Sequence, residues 1–254
     1  MKIAAVYCVF NEIDYLAYSL ESIYPFADKI LIAASKVSWR GSDIRSKKTL
    51  EIVRNFPDPK KKILVKEGIW KEATAERNFL VEWAKQLKMD YCWVIDSDEI
   101  YEDSIIHELF RTVKDYPDAV NFYCSWWTYW RSFYYRIDPP ETAVFVIGKL
   151  VPSFKIINVR QPTKGKTVRA DCFLHHYSYA KKPERIKQKL RNIVGPGSPI
   201  RSDWFKKFDD WPTNKNIEDL HPFWSGHWKR AVRITWQPPK VLEAHPWYLK
   251  EIIE

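Results

Sequence analysis

The sequence predicts an α/β protein whose first half alternates strands and helices around a Rossmann-like sheet and whose second half is aromatic-rich α+β. Three observations carry this prediction. Up to residue 125, strand-length apolar runs alternate with stretches of helical periodicity. One of those runs, YCWVI at 91–95, is aromatic and β-branched, the composition of a strand covered on both faces, and it stops abruptly in acid at Asp96, Asp98 and Glu99. Beyond residue 125 the rhythm ends and aromatic side chains crowd in; the chain holds 13 Trp against only 7 Gly.

Residues 2–10 are rich in Ile, Val, Tyr and Phe and read as a central strand ending at Asn11 and Glu12. Leu16, Leu20, Ile23 and Tyr24 then fall at helical spacing from Ile13 onward, and Pro25 stops the pattern. A second strand at 29–34 completes a βαβ unit, whose crossover is expected to be right-handed. After a polar loop with Gly41 as its only glycine, Leu50, Ile52, Val53 and Phe56 mark a helix at 47–56, closed by the turn PDP at 57–59. A third strand is expected at 63–66. A third helix begins near Thr74, with Arg77 and Asn78 in its first turns and Phe79, Leu80, Trp83, Ala84 and Leu87 on one face. The acid-ended strand 91–95 follows, then a helix at 104–116 and a strand at 119–125.

From Trp126 the text SWWTYWRSFYYRIDPPE reads as irregular. Strands are expected at 142–150 and 154–159, a basic loop to Lys166, a strand at 168–179 presenting His175 and His176, and a basic helix at 183–193 stopped by GPGSP. No element is placed beyond Gly195. The expected organisation is a nucleotide-binding half at 1–125, an acceptor-side half of the same domain at 126–194, and a C-terminal extension at 195–254.

A hydrophobic fraction of 46% over 254 residues supports a sizeable core. The longest apolar stretches are strand-length, short of the roughly 20 residues a spanning helix needs. The N-terminus reads as a first strand rather than a signal peptide, so the mature chain is expected to start at Met1. Cys8, Cys92, Cys124 and Cys172 are scattered and form no CxxC pair, which points to reduced core thiols and a cytoplasmic protein. The formal charge of +9 favours anionic partners such as nucleotide phosphates, nucleic acid or an acidic lipid surface, the last allowing peripheral contact at the inner face of a membrane.

In open α/β sheets the crevice beyond the carboxyl ends of the strands is where ligands bind. Asp96, Asp98 and Glu99 emerge there, as oxygen donors suited to a hard divalent cation beside a phosphate-bearing substrate. The plain alternative is a solvated acidic turn or a helix cap.

The pieces VYCVFNE (6–12), ERNF (76–79) and VIDSDE (94–99), in this order, resemble family-two glycosyltransferases of the GT-A fold, within the nucleotide-diphospho-sugar transferase superfamily. Residues 174–192, LHHYSYAKKPERIKQKLRN, look like the histidine-plus-basic-helix segment of lipopolysaccharide-core-type members, so the resemblance covers residues 1–193. It implies a hexosyltransferase-like enzyme that uses Mn2+ or Mg2+ to move a sugar from a UDP- or GDP-linked donor to a glycan or lipid-linked acceptor. It implies Asp98 as the direct metal ligand, with Asp96 on the ribose or on the metal through water. Glu99 orients the loop or contacts the acceptor. Phe10, Asn11, Glu12 and Asn78 line the nucleotide pocket, and Arg77 faces the diphosphate. Because His175 and His176 are adjacent on a strand, their side chains point to opposite faces and only one enters the site. His176 is favoured over His175 as the nitrogen ligand.

One departure touches base recognition. The family's aspartate after the second strand is missing from LIAASKVSW, which offers Ala34, Ser35 and Lys36; Asp43 is a substitute. Asp138, Glu141 and Asp171 are candidate general bases for an inverting reaction, and the aromatic run 126–135 with Arg131 and Arg136 is expected to face the acceptor. Three competing readings have weaker support. A haloacid-dehalogenase-like phosphatase normally has Thr or Val where this chain has Ile100, and a sugar nucleotidyltransferase needs a glycine-rich loop after the first strand, where no glycine precedes Gly41. A basic nucleic-acid-binding protein would not place acids at its principal site, so no nucleic-acid partner is expected.

Overall fold

The structure is a computed structural model that describes residues 1–39, 45–193 and 200–254, without the side chains of 191–193. Gly41, Asp43 and the GPGSP stop lie outside the described residues. The chain forms two compact units, one of Met1–Ser125 with Thr142–Leu174, the other of Trp126–Glu141 with His175–Glu254.

In the first unit the chain alternates β1 (Ile3–Val9), α1 (Leu16–Ile23), β2 (Lys29–Ser35), α2 (Lys47–Asn55), β3 (Ile63–Gly68), α3 (Ala73–Gln86) and β4 (Tyr91–Ile95). The short β5 (Glu99–Ile100) and α4 (Asp103–Asp115) follow, then the start of β6 (Asn121–Trp130). The expected order of strands and helices is therefore the observed one, apart from β5, which was not expected. α1 starts at Leu16 rather than Ile13, because the Glu12 side chain accepts the N–H groups of Asp14 and Tyr15 at 2.9 and 3.2 Å and holds residues 12–15 in a turn. α2 begins where expected, with the Ser46 hydroxyl accepting from the Lys48 N–H as its cap.

Strand order in this unit runs β3-β2-β1-β4 and then β8 (Glu141–Lys149). β1 pairs in parallel with both neighbours, Val9 opposite Ala34 on one side and Tyr7 opposite Ile95 on the other. Their carboxyl ends thus open on one edge of the sheet, where residues 10–12, 36–39 and 96–99 leave it. β8 adds an antiparallel member against β4, making the sheet mixed. The N-terminal end of β11 (Thr167–Tyr179) lies beside β6, with the Val120 N–H donating to Lys166 O, and β9 (Ile156–Asn158) pairs with β10 (Gln161–Pro162). α3 buries Leu80, Val81 and Ala84 completely against Val6, Leu31 and Val94 of the sheet. Each large aliphatic side chain so covered contributes about 1.5–3 kcal/mol.

The second unit corrects the expectation of irregular chain after Trp126. β6 runs on to Trp130 and turns back through residues 131–134 into β7 (Tyr135–Asp138), which pairs with β12 (Arg230–Arg233). Trp, Thr and Tyr at 126–130 are strand formers, and Arg131 makes the turn with a left-handed φ of 54°. α5 (Pro183–Ile193) occupies the expected span, and the unplaced tail supplies α6 (Trp204–Asp210). Its core is aromatic: Trp130, Trp204, Phe208, Trp211 and Trp228 pack together with Leu190. Arg131, expected to meet an acceptor, is buried instead, giving its two terminal nitrogens to the carbonyls of Phe208 and Ile253 at 2.9 and 3.1 Å. All four cysteines are free thiols. Among the described residues no helix is long and apolar enough to cross a membrane.

Candidate active site

The carboxyl edge of β1, β2 and β4 gathers most of the residues singled out in the first unit. Asp96, immediately after β4, is bound from two sides: Arg77 of α3 donates to Oδ1 at 2.6 Å, and Arg160 stands 2.9 Å from Oδ2. Arg77 also donates to the Val159 carbonyl at 2.6 Å, so its planar fork is fixed between a loop carbonyl and the acid turn.

Arg160 is the organising residue that the sequence reading passed over. Its guanidinium spans both oxygens of Glu99 and donates to the carbonyls of Val94 and Phe145, each at 2.8 Å. Burial alone would pull its pKa down, but the Glu99 and Asp96 carboxylates outweigh this and push it up, so the cation is permanent. Glu99 is wholly buried and also accepts from the Tyr101 hydroxyl at 2.8 Å. No local pattern in the sequence marks Arg160, since the acid it neutralises lies 61 residues earlier, in the run DSDEIYED. Asp98 is 4% exposed and lies near enough to Tyr15 for its charge to add to the burial that raises that phenol's pKa.

The other expected nucleotide-side residues hold the frame of this edge. Asn11 accepts from the Ser46 N–H at 2.5 Å, tying the end of β1 to the start of α2. Asn78 exchanges two hydrogen bonds with the Ile156 backbone, at 2.7 and 2.8 Å, and so joins α3 to β9. Phe10 is half-buried, and its carbonyl accepts from the Glu12 N–H at 2.5 Å.

Glu76, next to Arg77, is 1% exposed and accepts the indole N–H of Trp39 at 2.6 Å. Burial pushes its pKa up to about 7 against the lowering effects of Trp39 and the Arg77 charge. Neither Glu76 nor Trp39 was singled out from the sequence.

The two histidines lie in the second unit, on β11, and their rings have different neighbours, as strand alternation requires. His175 is fully buried, its Nδ1 2.8 Å from the Tyr129 hydroxyl, with the Trp127 ring edge-on at 5.3 Å. His176 packs on Trp126 at 4.0 Å, and its Nδ1 is 3.4 Å from the Thr128 hydroxyl, which also bonds Glu141. Of the other candidate bases, Asp138 faces Arg136 at 3.3 Å and Asp171 is exposed. Among the described residues no three His, Cys, Asp or Glu side chains are gathered into a metal cluster.

Comparison with solved structures bears on this arrangement. The mannosyltransferase PcManGT of Pyrobaculum calidifontis, solved with GDP-Man and Mn2+, superposes with a TM-score of 0.50 at 12% identity, over 69% of this chain and 56% of that one. The fold is GT-A. TarS of S. aureus (residues 1–349) aligns over 76% of this chain at 13% identity with a TM-score of 0.46. This chain spans 64% of that TarS structure, 39% of a longer one, and 56% of PcManGT. No protein-family model matches the sequence, and neither does any curated protein. The GT-A assignment agrees with the order β3-β2-β1-β4, the antiparallel β8 and the acid turn after β4.

Proposed function

We propose that this chain is a metal-dependent glycosyltransferase that moves a sugar from a UDP- or GDP-linked donor to a glycan or lipid-linked acceptor. The observation that carries the reading is the meeting of Arg77 and Asp96 at the carboxyl edge of a GT-A sheet, in the turn that also holds Asp98, with Arg160 bound to both Asp96 and Glu99. Arg77 is the standing cation for the donor's diphosphate, and Asp96, held on both oxygens, is fixed to meet the ribose. Glu99 acts by shaping the turn through Arg160 and Tyr101.

The carboxylate oxygens of the acid turn are donors of the type that Mn2+ or Mg2+ takes. Asp98, buried within the acid turn after β4, is the carboxylate we assign to the ion. Such ions are commonly held by one or two carboxylates together with substrate phosphates and water. The bound ion would neutralise the diphosphate as the anomeric bond breaks.

The test is calorimetric binding of UDP and GDP with and without Mn2+, to wild type and to Asp98→Ala. The expected result is Mn2+-dependent binding by wild type and a loss of at least about tenfold in the variant. Equal affinities would remove Asp98 from the metal. Absence of any nucleotide binding by wild type would overturn the donor reading.

A further inference from the structure

The edge described above contains a buried carboxyl that the proposed chemistry leaves unused. Glu76 lies in the first turn of α3, one residue before Arg77. Its Oε2 accepts from the indole of Trp39, in the segment that leaves β2. Its charge is felt by the Cys8 thiol near the end of β1. Glu76 is therefore at the carboxyl ends of β1 and β2, on the same edge as the acid turn after β4. Its second oxygen, Oε1, is buried and has no hydrogen-bond partner among the described residues. A buried acceptor left unmatched costs about 1–3 kcal/mol, and such groups call for an explanation.

Among the described residues that follow β2, none is an acid in the place of the base-contacting aspartate that the glycosyltransferase resemblance implies. Ala34 has no polar side chain, the Ser35 hydroxyl is turned inward onto the Val37 carbonyl at 2.7 Å, and Lys36 is exposed. A nucleoside diphosphate with its phosphates at Arg77 and the β4 turn would extend its base along the edge toward β1 and β2.

We propose that Glu76, oriented by Trp39, supplies the carboxyl that reads the donor's base, and that the base it accepts carries a ring N–H on its pairing edge, as uracil and guanine do. This rests on the donor reading above and deepens it. The indole N–H fixes Oε2, so Oε1 is the oxygen presented to the base. Cytosine and adenine offer a ring nitrogen lone pair at the same place, which a carboxylate repels.

The Trp39 contact makes the proposal testable by an isosteric change. In Glu76→Gln the amide oxygen must face the indole N–H, so the amide NH2 is turned toward the base, donor against donor for uracil and guanine. The probes are UDP, GDP, CDP and ADP, titrated calorimetrically with Mn2+ at pH 8, where Glu76 is mostly ionised, into wild type, Glu76→Gln, and Glu76→Gln with Trp39→Phe. Wild type is expected to bind UDP or GDP at least about tenfold tighter than CDP and ADP. Glu76→Gln should bring the four to within about threefold of one another. The double variant, whose amide is free to turn, should recover part of the preference. If Glu76→Gln leaves the ratios unchanged, or weakens all four equally, Glu76 only braces the edge and the proposal fails while the donor reading stands. If wild type binds none of the four, the donor reading falls and takes this with it.

Discussion

The guanidinium of Arg160 closes on the wholly buried carboxylate of Glu99, contacting both of its oxygens, and in doing so fixes the turn that carries Asp96 and Asp98. Removing one member of such a pair strands the other without water. Arg160→Met is therefore expected to cost about 3–5 kcal/mol in urea unfolding. Arg160→Met combined with Glu99→Met should recover much of that loss, since no lone charge is left inside. A single variant within about 1 kcal/mol of wild type would show the pair to be dispensable.

Arg77 works as a fork, one nitrogen on Asp96 Oδ1 and the other on Val159 O. Lysine has one nitrogen on a flexible stem and cannot hold both. Arg77→Lys should keep the fold by circular dichroism and weaken UDP or GDP binding about tenfold. Unchanged affinity would mean that Arg77 orders the turn without meeting the diphosphate.

Gly148 lies on β8, opposite Cys92 of β4, and a methyl group there would sit 2.1 Å from Cζ and 2.3 Å from Cε2 of Phe154. The Phe154 ring is fully buried and packs on Phe145, so it has little room to withdraw. Gly148→Ala should cost about 1–3 kcal/mol by overpacking, read from the urea midpoint, and Phe154→Leu in the same chain should return part of it. A neutral Gly148→Ala would show that the ring can move aside.

Much of the first unit was legible because each of its elements has its own period: apolar runs for β1, β2 and β4, and helical spacing for α3 and α4, read to within a few residues. The acid turn was legible because polarity changes sharply at Asp96. What failed was chain whose structure is set by distant partners. Residues 126–138 looked irregular because their aromatic side chains fill a core with Trp204, Phe208 and Trp228, residues about 70–100 positions on that no local pattern announces. Arg160 and Trp39 were missed for the same reason. An arginine in a loop looks solvated until Glu99, 61 residues earlier, is known to be buried beside it, and an indole after β2 looks like core until Glu76 is found on its N–H.

Glu76 also makes stability depend on pH in a direction that can be stated. Burial raises its pKa from an ordinary 4.5 to about 7, so the folded chain holds the proton more tightly than the unfolded chain does. Its contribution is most favourable below the unfolded value and is lost as pH rises through about 7, above which the buried carboxylate costs about 3 kcal/mol. Glu76→Gln keeps the shape and an acceptor for Trp39 but carries no charge to bury. It should therefore be more stable than wild type at pH 8, by up to about 3 kcal/mol, with the gap closing as pH falls toward 5. Urea unfolding of both proteins across that range reads the gap directly. A difference that stays constant from pH 5 to pH 8 would mean that Glu76 does not titrate in this window, and that its tie to Trp39 holds a carboxylate at every pH tested.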